Sequence, residues 1–247
     1  MKLNIGIQLY TLRDEIGLGY DEILKRVADV GYKGVEMTYD PANGAEVGRL
    51  LKKYSLTATG AHIGIDAIEN DLGTVTGFID AIGAVSIVVP WIGGDLIDSG
   101  EKTAETAQRL EALAQKLAPM GYELGFHNHV VEFERKFGGK TVIEIFAENA
   151  PSLKFQIDAG WAYAGGADVA AFVKKLGGRL ASTIHIKDVD EKNTPTEIGS
   201  GKVDMKSVIE AAAAAGVKWG IVEQDACVNY PPFESIKVSC DYIKTIN

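Results

Sequence analysis

The chain has 247 residues, of which 46% are hydrophobic, and its formal net charge is −9. This length supports a substantial core, so residues 1–247 are expected to form a single domain. The acidic charge argues against a nucleic-acid partner, because phosphate binding needs a basic surface, and it favours a small-molecule substrate.

The two cysteines are too few for a disulfide framework and suit a reducing environment, so a cytoplasmic location is expected. The start of the chain lacks the apolar segment of a signal peptide. Apolar runs elsewhere are shorter than a membrane span, so no membrane partner is expected.

Segments with strand-like apolar spacing alternate with segments of helical spacing along the chain. The predicted strands are 3–10, 34–37, 56–62, 85–90, 122–129, 153–158, 181–187 and 219–224. The predicted helices are 20–30, 44–54, 68–82, 101–120, 140–149, 168–176, 204–215 and 232–246. Eight strand–helix units imply a parallel sheet, and about 250 residues is the usual size of a (β/α)₈ TIM barrel.

A doubly wound open sheet is the structural alternative. That fold usually carries a Gly-x-Gly-x-x-Gly turn after its first strand. Residues 8–13 of this chain read Gln-Leu-Tyr-Thr-Leu-Arg at that place, so the barrel is favoured.

Successive residues of a barrel strand face the helices and the barrel interior in turn. One face of the predicted strands is steadily apolar, whereas the other begins with small residues and ends with a polar group. The interior face therefore delivers six polar side chains to the C-terminal mouth, where such barrels place their catalytic groups. These are Glu36, His62, His127, Asp158, His185 and Glu223.

Four of these side chains come from consecutive strands, five to eight, and form the predicted metal site: His127, Asp158, His185 and Glu223. Mixed nitrogen and oxygen ligands suit Mn²⁺, Co²⁺, Zn²⁺ or Mg²⁺, and the sequence does not choose among them. His129 lies on the same strand face as His127 and is the alternative ligand.

Several segments resemble the xylose-isomerase-like barrel superfamily, often labelled sugar phosphate isomerase/epimerase. They are 31–36, 126–133 with its His-Asn-His sequence, 158–161, 185–188, 197–204 and 222–225. The resemblance implies a metal-dependent enzyme that acts on a small carbohydrate. It leaves the oligomeric state open, with a homo-oligomer as one option.

The ketose 3-epimerases of this superfamily use two glutamates, at the ends of strands five and eight, as metal ligands and as the acid/base pair. Here His127 stands at the first position, and Glu223 alone remains. The His-x-His pattern is similar to that of inosose dehydratases and of barrel enzymes that act on 3-keto sugars or glycosides. The related DNA-repair branch uses more histidines than the four in this chain and suits its acidic charge poorly.

The resemblance implies chemistry through a metal-stabilised enediolate. Glu223 is the expected base, and His129 or Lys187 is expected to transfer the second proton. Lys187 has an alternative role as an ion-pair partner of Asp188 and Asp190. Substrate contacts are expected from four side chains: Glu36, His62, Trp91 and Trp161.

Three functions therefore stand side by side. An isomerase or epimerase that acts on a keto-sugar or sugar phosphate leads, and a dehydratase or lyase that acts on a keto-sugar, keto-glycoside or keto-inositol is the close alternative. A sugar-binding barrel without turnover is the third.

Two further segments are expected to have structural roles only. Glu132 and Glu134 are expected to be solvated loop charges, and residues 199–202 are expected to form a lid or a structural turn.

Overall fold

Eight parallel strands form the centre of the protein in a computed structural model that describes residues 2–247. The strands are β1 (Asn4–Gln8), β2 (Gly34–Thr38), β3 (Thr57–His62), β4 (Ser86–Val89), β5 (Glu123–His127), β6 (Lys154–Gln156), β7 (Thr183–Ile186) and β8 (Trp219–Val222). They pair in the order β6-β5-β4-β3-β2-β1-β8-β7.

The barrel closes between β6 and β7 through isolated contacts. The amide of Ala181 donates to the carbonyl of Phe155 at 2.9 Å, and the amide of His185 donates to Ile157 at 2.9 Å. The eight strands thus form a nearly closed barrel, and the predicted (β/α)₈ architecture is confirmed.

Eleven α-helices occur in the described part of the chain. They are α1 (Gly19–Val30), α2 (Gly44–Lys53), α3 (Ile65–Asn70), α4 (Leu72–Ile82), α5 (Gly100–Leu117), α6 (Val131–Glu134), α7 (Val142–Asn149), α8 (Ala159–Ala164), α9 (Val169–Leu176), α10 (Met205–Ala214) and α11 (Pro232–Ile246). Within residues 2–247, no helix combines the length and the apolarity that a membrane span requires.

The predicted helix 68–82 is two helices, α3 and α4. Asp71 stands between them with φ −147° and ψ 71°, which is not a helical conformation. Its side chain accepts a hydrogen bond from the amide of Thr74 at 3.0 Å and so caps the start of α4. The break comes from this local cap.

The predicted helix 140–149 begins two residues late, at Val142. Lys140–Thr141 pairs instead with Lys136–Phe137 as a short antiparallel ribbon. Thr141 and Glu144 then form a reciprocal capping box at the start of α7. The 3₁₀ segment Leu9–Leu18 and the short helices α6 and α8 were not predicted; all three follow strands on the C-terminal side of the barrel.

The two strand faces separate as the sequence pattern predicts. Ile7, Val35, Phe126 and Phe155 are fully buried in the apolar layer between strands and helices. The interior holds small residues low in the barrel. A Cβ atom on Gly34 would lie 2.6 Å from the ring of Trp219, so glycine is required where that ring fills the barrel.

Candidate metal centre

The polar ends of the interior strand face meet at the C-terminal mouth. His127 ends β5, Asp158 follows β6 by two residues, His185 lies in β7, and Glu223 directly follows β8. Each of these four offers one nitrogen or oxygen atom, and all four atoms lie within 4.8 Å of one another. The structure therefore brings together the four side chains of the predicted metal site.

These side chains suit a divalent cation by chemistry as well as by position. All four are buried, and Nδ1 of His185 lies 3.0 Å from Glu223 Oε2 and 3.8 Å from Asp158 Oδ2. Asp158 Oδ2 is buried and accepts no hydrogen bond of good geometry among residues 2–247, although the Nζ atom of Lys187 lies 3.0 Å away. A carboxylate oxygen in that state gains from a cation, so the donor set fits the predicted metal.

Glu36 lies beneath this group and connects two histidines. Its Oε2 is 2.6 Å from Nε2 of His185 and 3.1 Å from Nε2 of His62, and Gln8 donates to the same oxygen at 2.9 Å. Burial raises the pKa of Glu36, but His62 and His185 outweigh burial and hold the pKa well below its usual range. Glu36 is thus an ionised carboxylate.

The structure places Glu36 against a histidine of the predicted metal site and not at the wall where a substrate contact was expected. The side chain is fully buried and lies outside the walls of the pocket at the mouth. The contact between Glu36 and Nε2 of His185 turns Nδ1 of the ring toward Asp158 and Glu223. Carboxylates commonly orient metal-binding histidines by this kind of contact.

Gln156 was on the predicted interior face but was not selected as a functional residue. Its amide nitrogen donates to Glu36 Oε1 and to Thr183 Oγ1, both at 2.6 Å. Its Oε1 therefore accepts from Nε2 of His62 at 2.9 Å and from Nδ1 of His127 at 3.2 Å. The tautomer in which His127 donates through Nδ1 leaves Nε2 with a lone pair for a metal.

The His127 ring remains neutral. Burial lowers its pKa well below the usual value, and the neighbouring His185 and His62 lower it further. A neutral imidazole is the form that binds metal. His185 is different, because Glu36 and Glu223 outweigh the effect of burial and raise its pKa to about 10, so that binding of a metal at its Nδ1 atom would displace a proton.

Lys187 lies among carboxylates below the pocket. Its Nζ is 3.0 Å from Asp158 Oδ2, 3.0 Å from Glu223 Oε2 and 2.7 Å from Asp225 Oδ2. Burial alone would lower the pKa of Lys187, but these carboxylates raise it above its usual value. An ammonium held in this way is a poor proton donor, so the placement argues against the predicted proton-transfer role.

The alternative pairing of Lys187 with Asp188 and Asp190 is not formed either. The buried Asp188 accepts hydrogen bonds from the backbone amides of Gly199 at 2.9 Å and Gly201 at 3.1 Å. A Cβ atom on Gly201 would lie 2.1 Å from Asp188 Oδ1. The loop at residues 199–202 is therefore the structural turn that was one of the two expectations.

His129 contributes to the pocket wall. Its ring meets Trp91 edge-on at 5.0 Å between centroids and stacks at 6.3 Å with Trp161. Its Nδ1 has no hydrogen-bond partner within residues 2–247. Burial, followed by the charge of Lys187, lowers the pKa of His129 to about 4, so the ring is neutral and can accept a proton.

The backbone after β5 is held by Glu132, and the expectation of a solvated charge there was wrong. The side chain is fully buried, and its Oε2 accepts from the amide of His129 at 2.7 Å. Burial raises the pKa of Glu132 to about 7. Glu134 is exposed, as expected. The turn of α6 directs residue 132 inward, which the strand pattern did not show.

A pocket of about 300 Å³ opens above the four side chains of the predicted metal site. Its walls are Tyr10, Thr38, His62, Pro90, Trp91, His127, His129, Glu223 and Asp225. His62 and Trp91, two of the expected substrate contacts, line this pocket, whereas Trp161 is absent from the lining and has Lys187 Nζ 4.7 Å from its ring centroid. Asp225 was missed, although it shares the strand parity of Glu223.

The model of the xylose isomerase-like TIM barrel family matches residues 24–246. The chain therefore belongs to the xylose isomerase-like TIM barrel family, and the resemblance drawn from the sequence is confirmed at that level. No curated protein matches the chain.

Solved structures of three similar proteins share the fold. A sugar phosphate isomerase/epimerase from Parabacteroides distasonis has a TM-score of 0.85 and 19% identity, covering 98% of this chain and 93% of its own. An L-ribulose 3-epimerase has a TM-score of 0.75 and 14% identity over 98% and 94%. An AP endonuclease of family 2 from Brucella melitensis has a TM-score of 0.75 and 16% identity over 96% and 97%.

Proposed function

We propose that this protein is a divalent-metal-dependent isomerase or epimerase of a keto-sugar. The observation that carries the proposal is the convergence of His127, Asp158, His185 and Glu223 within 4.8 Å beneath an open pocket. A divalent cation held by these side chains would act as a Lewis acid on the substrate carbonyl oxygen.

Glu223 is the proposed base. Burial would raise its pKa, but Lys187 and His185 outweigh burial and hold the pKa well below its usual value, so the carboxylate is ionised. Its contacts with His185 and Lys187 both use Oε2. In the proposed reaction Oε1 takes the proton from the carbon beside the carbonyl, and the C–H electron pair forms the enediolate of the substrate.

His129 is the proposed second proton-transfer group. It is neutral and lines the pocket together with Glu223. The proton taken by Glu223 passes to the neutral His129, and its delivery from the resulting imidazolium to a substrate carbon gives the isomer or epimer. The edge-on contact with Trp91 and the hydrogen bond from the His129 backbone to Glu132 hold the imidazole in position.

A lyase or dehydratase is the second candidate, and the identity of residue 127 favours it. The two-glutamate epimerases have a carboxylate at this position, whereas His127 is a neutral imidazole bound to Gln156. If His129 instead relays the proton taken by Glu223 to a leaving hydroxyl or alkoxy group on the β carbon, the same enediolate collapses with elimination.

The experiment has two stages. Metal content is measured first after exposure to Mn²⁺, Co²⁺, Zn²⁺ and Mg²⁺. The loaded protein is then incubated with a panel of keto-sugars in D₂O. Deuterium at the α carbon without loss of a fragment indicates an isomerase or epimerase, and a released water or alcohol indicates a lyase.

The Glu223→Gln variant is the control in both stages, because it keeps the shape of the side chain and removes the base. Full turnover and full metal content in this variant would refute the scheme. Failure of the wild-type protein to bind metal and to exchange protons would favour the third function, sugar binding without turnover.

A further inference from the structure

A second groove lies next to the pocket at the mouth. It has a volume of about 410 Å³ and shares two wall residues, Tyr10 and Thr38, with that pocket. We call it the apolar groove, because most of its lining is hydrocarbon or aromatic. Its principal apolar residues are Leu9, Leu12, Ile16, Tyr20, Ile23 and Tyr39.

The wall shared by the two cavities is held in place. The guanidinium of Arg13 lies 4.2 Å from the centroid of the Tyr10 ring and donates to the Tyr10 carbonyl at 2.9 Å. It also donates to the carbonyl of Asp225, just beyond β8, at 2.5 Å. These contacts tie the 3₁₀ segment Leu9–Leu18 to the mouth of the barrel, so the groove stands open beside the pocket without rearrangement.

The charges around both cavities are unsuited to a phosphate group. Arg13 is the single lysine or arginine in the two linings, as far as residues 2–247 show, and its donors are bound to backbone carbonyls. The linings also contain three carboxylates: Asp40, Glu223 and Asp225. Lys187, which lies outside both linings, is already paired with Glu223 and Asp225, so within residues 2–247 neither lining offers a free arginine or lysine of the kind that phosphate sites usually supply.

The groove also leaves apolar surface in water. Ile16 is 55% exposed, and Tyr10 at the shared wall is 42% exposed. Apolar surface beside a polar pocket is a common feature of small-molecule sites, where the polar groups orient the ligand and the apolar walls bind the rest.

We propose that the substrate is an unphosphorylated keto-sugar with an apolar, ring-sized substituent, such as an aryl keto-glycoside. The sugar binds in the pocket above the metal ligands, and the substituent crosses Tyr10 and Thr38 into the apolar groove. This inference rests on the proposed sugar chemistry of the pocket and adds the class of substrate.

The test compares the binding of matched glycosides by calorimetry. The probes are the methyl, the phenyl and the methyl 6-phosphate forms of glucopyranoside, galactopyranoside and mannopyranoside, which lack the substrate carbonyl and therefore measure binding without turnover. Burial of a phenyl ring is expected to make at least one phenyl glycoside bind roughly tenfold or more tightly than its methyl and phosphate counterparts.

Two variants locate the effect. Ile16→Asp places a charge in the groove at a side chain that is 55% exposed, and it should abolish the preference for the phenyl form. Val85→Asp makes the same kind of change at a 61% exposed residue on the opposite end of the barrel, before β4, and should preserve the preference.

Equal binding of methyl and phenyl forms, tighter binding of a phosphate form, or no binding of any phenyl glycoside would overturn the inference. So would a phenyl preference that survives Ile16→Asp, or a change of oligomeric state in that variant, which would make the groove a contact between two copies of the chain. Metal content, measured separately, tests the proposed function. Phenyl selectivity without metal binding would refute that function and leave the groove assignment standing.

Discussion

Nε2 of His185 lies 2.6 Å from Oε2 of Glu36, and both side chains are completely buried. This contact fixes which nitrogen of the imidazole faces Asp158 and Glu223. A residue that does not line the pocket thus controls the geometry of one that belongs to the predicted metal site.

Replacement of Glu36 by glutamine should weaken metal binding by about 10- to 100-fold, because the histidine loses the charged partner that orients it. The measurement is a metal-competition titration. Glu111→Gln is the matched control, since Glu111 is also a buried glutamate but binds Ser152 on the outside of the barrel. Equal metal affinity of Glu36→Gln and wild type would refute the orienting role.

The two histidines after β5 should respond differently to truncation. His127→Ala should lose more than about 100-fold in metal affinity, because it removes a direct ligand. His129→Ala should keep its metal and lose about 10²- to 10⁴-fold in kcat, which is the usual range for a general acid or base. Bound metal and proton exchange are measured on both variants. The opposite pattern would make His129 the ligand.

Lys187→Met should destabilise the protein by about 3–5 kcal/mol, because Asp158 and Glu223 then remain buried without their counter-charge. Urea unfolding measures this loss. An added divalent metal should stabilise the variant more than the wild type, since the cation supplies part of the missing charge.

Lys53→Met is the control for this variant. Its ion pair with Asp21 is solvent-exposed, so its removal should leave stability nearly unchanged. Equal metal-induced stabilisation of Lys187→Met and wild type would show that Lys187 does not balance the charge of the site.

Glu132 should make stability fall as pH rises. Burial raises its pKa from 4.5 to about 7, so between these values the folded protein holds a proton that the unfolded chain has released. The free energy of unfolding should therefore decrease across this range, by on the order of 3 kcal/mol. Urea unfolding at several pH values measures the slope.

Glu132→Gln should remove this part of the pH dependence, because the amide does not ionise. Glu134→Gln is the neighbouring control, since Glu134 is exposed in the same short helix. A slope that is unchanged in Glu132→Gln would assign the pH effect to other groups.

The sequence predicted the barrel because alternation of strand and helix is a local property. Apolar spacing identified all eight strands, and its parity identified the inward face of each. The errors lie where a single side chain sets the local backbone. Asp71 divides the predicted helix 68–82, and the short helix α6 carries Glu132 into the interior.

The alternation of inward-facing and outward-facing residues also predicted that four side chains lie at the same mouth: His127, Asp158, His185 and Glu223. It does not predict how deep in the barrel each side chain lies. Glu36 and Glu223 share the inward parity, yet Glu36 pairs in register with Gln8 and Gly60 inside the barrel, whereas Glu223 lies beyond the end of β8. Strand register depends on contacts between distant segments, so the sequence pattern does not predict it. The register places Glu36 inside the barrel, where it orients His185, and it places Glu223 at the pocket.

The sequence by itself determined the fold, the inward face of each strand and the residues that meet at the mouth. Only the tertiary structure decided that Lys187 contacts three carboxylates and that Glu36 orients the His185 ring. It also decided that Tyr10 is a wall residue of both the pocket and the apolar groove. The reason is physical: the alternation of a strand is visible in neighbouring residues, whereas charge pairing and cavity shape arise between separate segments. Lys187 and Glu223 are 36 residues apart, and Glu36 and His185 are 149 residues apart.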